Sequence, residues 1–161
     1  MTRQHSTAVL TLLLFASAFA HNHALRTPGA LNGPSRTSSK PAPVKVLGAF
    51  VQATPPGVPD GSAYLTIQNT AGVALKFTGG DSPLAQHVMP MRQARLNGLT
   101  GMRDVPFMAV PANGKLAFTP GANHLMLYQL KRVPKEGETT TLTLNFDGYA
   151  PLTLKVPVKR L

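Results

Sequence analysis

The stretch "TTTLTLNFDGYAPLTLKVPV", residues 139–158, alternates apolar and polar side chains on both sides of Asp147-Gly148. A strand sends successive side chains to opposite faces, so this period marks half-buried strands and not a helix. Asp-Gly supplies the backbone freedom to reverse the chain, which makes the stretch a hairpin. The same texture returns on moving outward from it. "KLAFTPG" and "NHLMLYQL" are two strands around Pro120-Gly121. Residues 85–95 and 99–105 flank Asn97-Gly98, the preferred two-residue hairpin turn. "VALKFTGGDSP" is a short strand ending in glycines, while the breaker "PPGVPDG" separates "VKVLGAFVQAT" from "SAYLTIQNT". No segment has the period of a long amphipathic helix. About eight short strands with frequent turns predict an all-β antiparallel sandwich or barrel with Greek-key connections.

A chain of 161 residues is long enough for one domain with a real core. Frequent glycine and proline (14 and 15) with only 14% charged residues fit many short strands rather than a helical bundle. Cysteine is absent, which excludes disulfides, thiolate metal sites and lipid anchoring through an N-terminal cysteine. A soft metal would therefore have to be held by methionine and histidine. The net charge is +10, with Arg3, Arg26, Arg36, Lys40 and no acid in residues 1–43, and 12 Lys+Arg against 6 Asp+Glu in residues 44–161. These charges are scattered, with no aromatic platform between them, so they predict a basic surface rather than a nucleic-acid site.

Residues 1–20 combine Arg3, the apolar run "AVLTLLLFASAFA" and small residues at Ala18 and Ala20, the pattern of a secretory signal peptide cleaved before His21. The run is short for a membrane span, and an uncleaved N-terminal anchor is the alternative. The expected location is periplasmic or otherwise extracytoplasmic. Residues 21–43, rich in proline, serine and glycine, predict a flexible linker, and residues 44–161 the folded domain. A mature chain starting His21-Asn22-His23 has the free amine and third-position histidine that wrap Cu(II) or Ni(II) in a square plane of nitrogens. The simpler reading is a disordered tail with incidental histidines.

Little supports acid–base or nucleophilic catalysis, and no enzymatic activity is expected. Asp60, Asp81, Asp104, Glu136, Glu138 and Asp147 mostly fall in turns, and no nucleophile elbow, zinc-protease helix or phosphate loop is present. The methionines stand out. Met89, Met91, Met102, Met108 and Met126 all lie between residues 89 and 126, bracketed by His87 and His124. A single methionine is most simply a filler of core gaps, and Met108, amid prolines and apolar residues, is assigned to the core. Alternation separates the others: His87, Met89 and Met91 share one face of their strand, and His124 and Met126 share the outward face of theirs. The Asn97-Gly98 turn returns Met102 beside Met89 or Met91. Thioether plus imidazole, without carboxylate or thiolate, suits Cu(I) far better than Zn(II).

The spacing of these residues resembles that of the periplasmic copper chaperones called PCuAC, whose site runs His-or-Met, ten residues, Met, twenty-one residues, His-x-Met. Met91, Met102, His124 and Met126 match all four positions. The flanking text "SAYLTIQN", "GMRDV", "PANGKLAFTPGANHLMLYQLKR" and "PKEGETTTLTLNF" is similar to the family's, so the resemblance covers residues 44–158. It implies a cupredoxin-like β-sandwich, acting as a monomer, that carries one Cu(I) per chain. It also implies delivery to the copper-bearing subunit of cytochrome c oxidase at its binuclear centre, sometimes alongside a Sco-type protein. Methionine in the first position leaves a single imidazole, favouring Cu(I) over Cu(II) further. The His/Met-rich C-terminal tail of many members is missing after "VPVKRL", so any weak Cu(II) site would use His21, His23 or His87. Two other readings compete: a copper-scavenging or resistance protein, and a β-sandwich binding module in which the cluster is structural. A blue-copper redox role needs a cysteine ligand.

Overall fold

The computed structural model describes residues 40–161. The signal peptide and most of the linker expected from the sequence lie outside these residues. The described part contains ten strands and no helix: β1 (Val44–Gln52), β2 (Gly61–Asn69), β3 (Leu75–Asp81), β4 (Ala85–Leu96), β5 (Leu99–Asp104), β6 (Met108–Val110), β7 (Lys115–Phe118), β8 (His124–Leu130), β9 (Thr139–Phe146) and β10 (Leu152–Lys159). The all-β, cupredoxin-like expectation holds.

The strands pair in the order β5-β4-β8-β2-β1-β10-β9-β3-β6, with β7 on β2. A further pairing of Gly80 with Val88 joins β3 to β4, so the sheet closes on itself as a flattened barrel. The contact is short, and β5 and β6 remain at the two ends of the pairing order. Among the ten strands every pairing is antiparallel except β1 with β10, and an isolated parallel bridge joins Pro41 to Ala150.

Alternation sorts the side chains as expected. Leu142, Leu144 and Phe146 of β9 and Val156 and Val158 of β10 enter the core, while Thr143, Asn145 and Pro157 between them face out. Phe77 lies at the centre, with Phe118 at 5.6 Å and Phe146 at 5.5 Å between ring centroids, in the tilted geometries aromatic rings prefer. Met108 joins this core. Its strand, β6, was hidden in the sequence by the prolines around "FMAV", and β6 accounts in part for the strand count exceeding the sequence estimate.

Residues 40–43, expected as the end of the linker, are tied to the domain. The Ala150 amide donates to the Lys40 carbonyl at 2.8 Å, and both the Thr70 amide and hydroxyl donate to the Pro43 carbonyl. Prolines suit such an edge, since their carbonyls accept although they have no amide to donate.

Candidate metal centre

Two hairpin arms build the site on the outer face of the barrel. Asn97 and Gly98 adopt φ of 51° and 80°, the double left-handed turn that a two-residue hairpin needs and that Asn-Gly tolerates. The turn sets the β4–β5 register, with Met91 opposite Asp104 and Gln93 opposite Met102. On its other side β4 pairs with β8, placing Met91 opposite His124, Met89 opposite Met126 and His87 opposite Tyr128. Met91 is thus paired on both flanks at once, where β4 passes from the barrel wall into the projecting hairpin. Directly opposed residues share a face with Cα atoms about 4.5–5.5 Å apart. Diagonal neighbours such as Met102 and Met91 remain within reach of long side chains.

All four sequence-predicted ligands therefore lie on one face. His124 and Met126 are half-buried, while Leu125 and Leu127 between them are fully buried in the core. Met91 is only 7% exposed, yet it does not belong to the hydrophobic core cluster. Its burial comes from the outer face, under Tyr128 and the start of the hairpin. Met102 and His124 line the same open cleft of about 280 Å³, together with Tyr64, Gln93, Gly121 and Ala122. The hairpin thus forms one wall of a cleft on the outward strand face, which alternation alone does not reveal.

Polar contacts orient this set. His124 Nδ1 lies 3.3 Å from the Ala122 carbonyl oxygen. A carbonyl only accepts, so Nδ1–H is the donor in this bond and Nε2 is the ring nitrogen it leaves unengaged, the arrangement used when histidine ligates a metal. The Tyr128 hydroxyl donates to Asp104 Oδ1 at 2.5 Å and stands 3.5 Å from the Met91 sulfur. Burial, followed by the hydrogen bond to the Asp104 carboxylate, pushes the Tyr128 phenol up from 10.0 to about 12. At neutral pH it stays a donor, tying the end of β5 to β8 across Met91. Asn123 Oδ1 accepts from the Gln93 amide at 3.1 Å and fastens the hairpin to the loop before β8.

An aromatic wall flanks His124. Tyr64 lies 6.4 Å from its ring and Phe50 stacks behind at 5.3 Å, while the Tyr64 hydroxyl donates to Gln52 Oε1 at 3.0 Å. A bulge between Leu47 and Phe50 puts Phe50 on this outer face while returning Val51 to the core. The sequence reading missed Tyr64, Tyr128 and Asp104. The only available signal was position: Tyr128 continues the His124-Met126 alternation by one step. His87 is exposed on the same face, and His21 and His23 lie outside the described residues. Among the described residues no three of His, Cys, Asp and Glu group as metal ligands.

Comparison with known proteins places the fold. Residues 44–158 match the model of the family described as "Putative lipoprotein LpqE-like". The "Putative lipoprotein Lxx21020" of Leifsonia xyli subsp. xyli is 26% identical over 137 residues, covering 84% of this chain and 80% of that protein. Among solved structures, the Cu(I) form of DR1885 from Deinococcus radiodurans is 38% identical with a TM-score of 0.63, over 74% of this chain and 80% of that one. A copper-bound PCuAC domain from PmoF2 shares the fold at 17% identity and a TM-score of 0.62, over 74% of this chain and 95% of that one.

Proposed function

Because the chain belongs to the LpqE-like family, with residues 44–158 matching, we propose that it is an exported, non-enzymatic Cu(I) carrier of the PCuAC type. One observation carries the reading. Met91, Met102, His124 and Met126 come from three strands onto one face, with His124 Nε2 left unengaged beside them. The Cu(I) form of DR1885 and the copper-bound PmoF2 domain, which share this fold, support it. Three thioethers and one imidazole are neutral donors matched to a soft d10 ion. They leave the bound ion's positive charge uncompensated, which keeps the complex exchangeable, and the cleft beside His124 and Met102 opens the ion to a partner. Export rests on residues 1–20 and is supported by the lipoprotein description of the family. Among the described residues no helix is long and apolar enough to cross a membrane.

The acceptor we propose is the copper-bearing subunit of cytochrome c oxidase, with a Sco-type thiol protein as co-worker. Anaerobic competition with a chromophoric Cu(I) chelator tests the first step. One Cu(I) per chain is expected to stay with the protein, and Met102→Leu or His124→Ala to weaken capture at least about tenfold, an effect of roughly 1.4 kcal/mol or more. Absence of capture by the parent protein overturns the carrier. Mixing the Cu(I)-loaded protein with an oxidase fragment whose dicopper site is empty tests delivery; capture without transfer points to a scavenging role.

A further inference from the structure

The outer face holds more soft donors than the four-residue site uses. Along β4, His87, Met89 and Met91 point the same way, and β8 sets Tyr128, Met126 and His124 directly opposite them. Met126 is therefore opposed by Met89, while Met91 is opposed by His124. The donors are graded in exposure: Met91 is buried, Met89 half-buried and His87 exposed. Met89 does not belong to the core cluster, so filling the barrel interior does not account for a thioether there.

We propose that His87 and Met89 form a second, weaker Cu(I) station that shares Met126 with the main site, through which the ion enters and leaves. The inference rests on the carrier reading above. A Cu(I) ion bound near Met126 has the Met89 sulfur across one strand spacing, about 4.8 Å in backbone terms, and His87 two residues further along the same face. The ion can then gain one ligand before losing another. It passes from a half-buried sulfur-rich set to an exposed imidazole without becoming free in water. No bond other than copper–ligand bonds changes, and copper stays Cu(I). The exposed His87 end also gives an acceptor's ligands a second approach, further along β4 from the open cleft beside His124 and Met102.

The test compares release rate with affinity in the full folded protein, using Cu(I) alone as the probe. Met89→Leu preserves volume and apolar character, and His87→Asn keeps a polar surface residue. Cu(I)-loaded parent and the Met89→Leu/His87→Asn double variant are mixed anaerobically with excess bicinchoninate, and transfer is followed by absorbance. The double variant is expected to bind Cu(I) within about twofold of the parent and to release it about tenfold more slowly. Release at the parent's rate overturns the station. Release faster than the parent's with a matching fall in affinity also overturns it, by making Met89 a ligand of the main site. Failure of the parent to bind Cu(I) at all overturns the carrier reading and the station with it. Parent binding that is lost in Met102→Leu upholds the carrier reading whichever way the double variant behaves.

Discussion

Met91 shows how one position answers two demands. Its backbone pairs with both β8 and β5, and its sulfur lies under the Tyr128 hydroxyl, outside the hydrophobic core. Met91→Leu should cost under about 1.5 kcal/mol in urea unfolding of the copper-free protein, because leucine fills a similar volume. Cu(I) affinity should fall at least about tenfold in the chelator competition, since leucine offers no lone pair. A large stability loss would mean that the side chain packs the fold rather than serving the ion. Tyr128→Phe removes the donor to Asp104 and should destabilise the copper-free protein by about 1 kcal/mol, measured by denaturant midpoint. The periodicity of "NHLMLYQL" made the faces of His124 and Met126 legible. It did not show that Tyr128 reaches Asp104, 24 residues away in sequence, because that contact depends on where the hairpin returns.

At the scale of elements, the β4–β5 hairpin projects beyond the barrel wall and carries Met102. Its Asn-Gly turn was plain in the sequence, since few dipeptides tolerate two left-handed residues in succession. Its register has a less obvious consequence, placing Arg92 directly opposite Arg103, both exposed and on the face away from the methionines. Like charges in that relation repel. Arg103→Glu should therefore stabilise the copper-free protein by about 0.2–1 kcal/mol at low salt, with the gain shrinking as salt screens the new pair. Thermal unfolding at two ionic strengths measures this. The β8–β9 connection offers a pH test. The Arg132 guanidinium, which donates to both Glu138 oxygens at 2.7 and 2.9 Å, and then the Lys135 amide hold that carboxyl below its ordinary 4.5. The folded state favours the charged form, so the contribution is present above the unfolded pKa and is lost as pH falls through the depressed folded value. Glu138→Gln should be less stable than the parent at neutral pH, and urea midpoints of the two should converge as acid protonates Glu138.

At the scale of the whole molecule, the barrel closes where β3 meets β4; Gly79 makes room for β4 there, and the adjacent Gly80 makes room for β9 on the other side. A side chain at Gly79, where φ is 111°, would meet the Val88 carbonyl, and one at Gly80 would overlap the Thr143 carbonyl. Gly80→Ala should cost about 3 kcal/mol or more, since a backbone carbonyl cannot move aside as a flexible side chain can, and a lowered thermal midpoint checks it. The closure also explains the site, because it holds β4 as a shared wall between the core and the outer methionine face. The sequence by itself determined the strand class, the tight turn at Asn97-Gly98, the inward leucines and the soft character of the donors. Those properties depend on period, dipeptide chemistry and ligand type, all of them local. Only the tertiary structure decided which strands lie side by side, that Met89 faces Met126 while Met91 faces His124, and that the hairpin walls a cleft on the outward face. Pairing partners are chosen by burial and backbone hydrogen bonding across the closed sheet, so no local pattern in the chain encodes them.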